Sequence, residues 1–104
     1  MTITVKISAT AQGTPHGKLA DAELLFAGGE LDGLKLIGFS IWERQGAHGR
    51  RVTFPARQYA VAGEHRTFAL LRAIGDTSAL TRVRDLVLDA YAEHERAAAS
   101  AVTP

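Results

Sequence analysis

Cysteine is absent from these 104 residues. That excludes a disulfide framework, a thiolate nucleophile and any cysteine-built zinc or iron–sulfur centre. Long hydrophobic runs are absent too. No stretch approaches the roughly 20 apolar residues needed to cross a bilayer. The opening residues 1–6 carry neither a basic region nor a continuous apolar one, so no leader is read there. The expected location is cytoplasmic, with no membrane partner. Net charge is nearly absent, at +1, so the whole-molecule balance points to no class of partner. Missing as well are the spacings HxH, HExxH, GxSxG, GxGxxG and GxxxxGK[ST], which removes the short signatures of metal hydrolases, serine hydrolases and phosphate loops.

What is present describes an ordinary globular chain. Its hydrophobic fraction is 46% and its charged fraction 22%, enough for one domain and one core. The distribution of charge is less ordinary. Between positions 44 and 72 lie Arg44, Arg50, Arg51, Arg57, Arg66 and Arg72 against the single acid Glu64, a local charge of +5. The remainder carries −4. The cationic middle contains no lysine. A planar guanidinium suits bidentate contact with phosphate or carboxylate better than an ammonium does.

Hydrophobic periodicity predicts an α+β fold: an antiparallel sheet of about five strands with one C-terminal amphipathic helix on one face. Ile3, Val5 and Ile7 alternate with polar residues over 2–8. Residues 18–27 alternate Ala20, Ala22, Leu24 and Phe26 with Asp21 and Glu23, which favours a strand over a helix. Gly28-Gly29 and Asp32-Gly33 supply hairpin chemistry. Over 34–44, Ile37, Phe39 and Ile41 share one face, and Leu34, Leu36 and Trp42 the other, the pattern of a central strand. Turns are expected at 10–17 and 45–49. Residues 50–55 read as a short strand ended by Pro55, with Val52 and Phe54 inward. After a turn at 60–64, residues 66–74 read as a fifth strand with Phe68, Leu70 and Ile74 on one face. Asp76, Thr77 or Ser78 caps a helix to about residue 98, whose stripe is Leu80, Val83, Leu86, Val87, Ala90 and Tyr91. The expected domain spans 1–98, with a frayed tail at 99–104.

Few residues suggest chemistry. His16, His48 and His65 fall in expected loops or strand edges and His94 on the helix; a spatial pairing of His48 with His65 is left open by the sequence. Asp85, Asp89 and Glu93 line one helix face. Such a row offers oxygen ligands to a hard cation, but Arg82 and Arg96 bracket it and a solvated face explains it better. No cofactor and no metal is implied, and the chain is expected not to be an enzyme. The arginines remain. Arg57 and Arg66 are expected to gather near the 60–64 turn with Tyr59 as a stacking ring, and Arg50, Arg51 and Arg72 toward the other end.

Gly38-Phe39-Ser40-Ile41-Trp42, then 49–57 with Phe54-Pro55-Ala56-Arg57, then Gly63-Glu64-His65-Arg66-Thr67-Phe68-Ala69 and Val87-Leu88-Asp89-Ala90-Tyr91 occur in an order that resembles the stage V sporulation protein G (SpoVG) family. The likeness covers roughly residues 20 to 92. It is that of a divergent member: the family's Met-Pro-Ser stands here as Phe54-Pro55-Ala56, its strand arginine as Ser40, and its His-Pro as Leu70-Leu71. Thr81-Arg82 lies two residues closer to the Val-Leu-x-x-Tyr motif. The resemblance implies a small α+β homodimer that binds DNA or RNA as a non-catalytic regulator. It points to Arg57 and Arg66 as nucleic-acid contacts. Charge alone adds Arg50 and Arg51, and Arg82 and Arg84 on the helix are weaker candidates. The alternative is a protein-interaction module that uses an exposed apolar sheet face carrying Trp42.

Overall fold

A computed structural model describes residues 1–9, 17–43 and 49–102. Most of the turns expected at 10–17 and 45–49, and with them Arg44, His16 and His48, lie outside the described residues. Four strands form one antiparallel sheet in the order β1-β2-β3-β4: β1 Thr2–Ala9, β2 Lys18–Ala27, β3 Lys35–Glu43 and β4 Arg50–Thr53. Two further strands, β5 Ala56–Val61 and β6 Glu64–Ala69, pair with each other in a separate two-stranded sheet. Helix α1, Ser78–Val102, closes the fold.

The α+β class stands. The expectation of about five strands in a single sheet does not, because there are six in two sheets. Residues 56–61 form a strand where the sequence pattern suggests a connection. They are all exposed, so no core imposed an alternating pattern on them. The last strand ends at Ala69 rather than at 74. Leu71 turns in to pack on the core, whereas Ile74 stands fully in solvent.

One face of the four-stranded sheet carries the core. Ala20, Ala22 and Leu24 of β2, Phe39 and Ile41 of β3 and Val52 of β4 are buried with Val87 and Tyr91 of α1. Val5 and Ile7 of β1 pack at its margin. Their alternation is the source of the strand register: Ile7 faces Ala22, and Ala22 faces Phe39. The helix crosses this face and touches both outer strands, β1 and β4. Each fully buried large side chain, such as Phe39, Ile41 or Val87, contributes about 1.5–3 kcal/mol relative to exposure. The cap is Asp76. Its Oδ1 accepts the Ser78 N–H at 2.9 Å and also the Ser78 hydroxyl, which holds its carboxyl below the usual range.

A bulge in β3 changes one assignment of faces. Ala22 pairs with Phe39 but Leu24 pairs with Leu36, so Ile37 and Gly38 together oppose Glu23. One extra residue inverts the alternation on one side of it. Leu36 therefore joins the helix face, and Ile37 is 60% exposed rather than aligned with Phe39. Gly38 takes φ +107°, and a Cβ there would lie 3.2 Å from Pro55 Cβ. The bulge thus brings β3 against the base of the second sheet.

The opposite face of the four-stranded sheet carries ion pairs beside the half-buried Leu25 and Trp42. Lys18 pairs with Asp21 at 2.7 Å and Lys35 with Glu23 at 2.9 Å. Trp42 Nε1–H donates to Thr53 Oγ1 at 2.8 Å, and the Arg51 guanidinium lies 5.8 Å from the Trp42 ring centroid. No helix among the described residues is long and apolar enough to cross a membrane.

Candidate nucleic-acid interface

Pro55 is buried and ends the pairing of β4, because a residue without an N–H cannot extend the ladder. Beyond it the chain leaves the core as the β5–β6 hairpin and returns at Leu70, whose N–H donates to Pro55 O at 3.0 Å. All six residues of each strand are exposed. The molecule measures 55 × 37 × 24 Å with a Cα radius of gyration of 15.6 Å, against about 13 Å for a compact domain of this length. At its tip, Ala62 and Gly63 both take positive φ, +52° and +82°, as a two-residue type I′ turn requires.

Register decides what the arm presents. Arg57 pairs with Phe68, Tyr59 with Arg66 and Val61 with Glu64. Alternation then places Arg57, Tyr59, Val61, Glu64, Arg66 and Phe68 on one face, and Gln58, Ala60, His65 and Thr67 on the other. Arg57 and Arg66 are therefore brought onto one face, each directly across the ladder from an aromatic ring. Among the described residues Arg57 makes no ion pair. Arg66 Nη2 lies 3.3 Å from Glu64 Oε2, but both side chains are more than half exposed, so that pair contributes only about 0–1 kcal/mol. Arg72 joins them from just beyond β6. Its guanidinium sits 4.1 Å from the Phe68 ring centroid, and its Nε–H donates to Ala69 O at 2.9 Å. Arg57, Tyr59 and Phe68 line a shallow concavity of about 350 Å³.

The other candidates lie elsewhere. Arg50 and Arg51 are consecutive on β4 and so point to opposite faces. Arg50 reaches the helix, 3.3 Å from Glu95 Oε2 and 6.0 Å from the Tyr91 ring centroid. Burial, then the Glu95 charge, raises the Tyr91 phenol above 10.0, with Arg50 opposing. Arg51 covers Trp42 on the polar face. On the helix, Arg82 Nη1–H donates to Ser78 Oγ at 3.4 Å, and Arg84 lies 3.5 Å from Asp85. Glu93 is paired with Arg96. No cluster of three or more metal-ligating side chains occurs among the described residues.

Of this surface, Phe68 is not a nucleic-acid candidate by sequence reasoning, and Arg72 is expected with Arg50 and Arg51 rather than beside it. Phe68 reads as an inward strand residue, yet it is 48% exposed. The signal that would have found it is the matched pair of patterns Arg-x-Tyr at 57–59 and Arg-x-Phe at 66–68, one on each side of a two-residue turn. In comparisons with known proteins, no family model matches this chain, nor does any curated protein or solved structure.

Proposed function

We propose that this protein is a divergent relative of the SpoVG family that binds DNA or RNA in the cytoplasm, as a homodimer and without catalysis. One observation carries the reading: Arg57 and Arg66 share an exposed face of the arm with Tyr59 and Phe68. Phosphate recognition needs cations spaced along an accessible surface, and bases add affinity where aromatic rings lie between them. Arg72 extends the same cationic surface toward the core. Arg50 and Arg51 stand apart from it, one held by Glu95 and the other over Trp42. The dimer is supported by the arm itself. A two-stranded hairpin is marginally stable alone in water, and a second copy would cover it.

The test is fluorescence anisotropy with labelled DNA and RNA oligonucleotides across a salt series. Micromolar binding that weakens with salt and collapses in the Arg57→Glu/Arg66→Glu double variant is the expected result. No binding at low salt by the folded wild-type protein would refute the reading.

The second reading is a protein-interaction module. The four-stranded sheet gives it less apolar surface than the sequence suggests, since Leu36 is turned to the helix and the open face is ion-paired. Leu31, Leu34 and Ile37, at 40%, 56% and 60% exposure around the start of β3, are the residues that favour it. Loss of partner capture in Leu34→Ser/Ile37→Ser, with oligonucleotide binding absent, would select it.

A further inference from the structure

The arm carries two kinds of group that a duplex does not satisfy together. A duplex offers phosphates and groove edges, while its base faces are stacked on one another. A single strand offers both phosphates and free base faces, and proteins that bind it combine a cationic track with aromatic platforms. Tyr59 and Phe68 are 39% and 48% exposed on the same face as Arg57 and Arg66. The open concavity they line with Arg57, about 350 Å³, lies at the small end of ligand sites.

Phe68 is further prepared for stacking. The Arg72 guanidinium, 4.1 Å from its centroid, occupies one of its two faces and places a positive charge beside the ring. The only acid on this face of the arm is Glu64, 3.3 Å from Arg66 and 73% exposed. An exposed pair of that kind is readily exchanged for a phosphate contact.

We propose that the arm takes single-stranded in preference to duplex nucleic acid, with one base stacked at Tyr59 and Phe68 and its flanking phosphates on Arg57 and Arg66. This rests on the nucleic-acid reading above and adds to it the strandedness of the ligand and the role of the rings. In this arrangement the arginines set the salt dependence of binding, and the rings set the preference for an unpaired base.

The test separates the two claims by using three labelled probes of equal length with the full chain. They are a single strand, the duplex of the same sequence, and an abasic strand that keeps the phosphates but lacks bases. The single strand is expected to bind at least about tenfold more tightly than either of the others. Tyr59→Leu and Phe68→Leu keep apolar strand residues but remove the rings. Each is expected to weaken single-strand binding by about five- to a hundredfold, the range found when one stacking ring is lost, and to leave the abasic strand at wild-type affinity. Retained abasic binding also shows that the arm is still folded in the variants. Equal affinity for single strand and duplex, with both leucine variants binding like wild type, would overturn the stacking proposal and leave phosphate binding standing. Failure of all three probes to bind would overturn both.

Discussion

Gly38 has two reasons to lack a side chain. Its φ of +107° lies where other L-residues are strained, and an added Cβ would sit 3.2 Å from Pro55 Cβ and 3.3 Å from Pro55 Cα. Gly38→Ala is expected to cost about 1–3 kcal/mol, read as a lower urea midpoint with an unchanged slope; wild-type stability would show that the bulge can move. Tyr91 offers a second residue-scale check. Its phenol is raised above 10.0 chiefly by burial, so the unfolded chain loses that proton first. The fold's preference for the neutral phenol is complete below pH 10 and is lost as pH climbs above it. Ultraviolet titration is expected to show one tyrosine ionising late, and Arg50→Ala to delay it further, because Arg50 opposes the rise. At this scale the sequence was legible where alternation was unbroken, as at Ala20, Ala22 and Leu24. It misled at Leu36 and Ile37, because a bulge leaves no trace in hydrophobic order except the glycine that permits it.

The elements differ in how firmly they are held. β2 and β3 lie inside the four-stranded sheet beneath the helix, whereas β5 and β6 have only each other. In the single chain at high dilution, amide exchange is expected to be slowest in β2 and β3 and faster by orders of magnitude in β5 and β6, since segments with little buried apolar surface open most easily. Ala62 at φ +52° adds a small strain at the tip. Asparagine enters that region more readily than alanine, so Ala62→Asn is expected to slow exchange in the arm by a few-fold and to leave β2 unaffected; no change would mean that the turn does not limit opening. The same contrast explains what could be read in advance. The helix is legible because its buried stripe, including Val87 and Tyr91, and its Asp76 cap both mark the sequence. β5 is not, because a strand with no buried face has no period to display.

For the whole molecule, residues 44–72 carry +5 and the remainder −4, so a net charge of +1 hides an uneven distribution. If Arg57, Arg66 and Arg72 each neutralise one phosphate of a single strand, the logarithm of affinity is expected to fall against the logarithm of salt with a slope of about −2. Arg72→Gln would then flatten it by about 0.7, while a slope near zero would remove phosphate from the account. Sedimentation equilibrium is expected to give twice the chain mass of 11.1 kDa. The cationic middle was visible in composition, but its division between the arm and β4 depends on pairing that composition does not record. The arm also has a valence. The outer side of β5 and that of β6 each present a rank of unshared amides and carbonyls, and a second copy joined edge to edge consumes one rank from each chain. Where the two copies meet through the same strand about a two-fold axis, the contact is isologous and closes at two chains. A strand lying on the face of the arm would leave both edges uncovered, so ligand binding on the face and pairing at an edge are independent in this architecture.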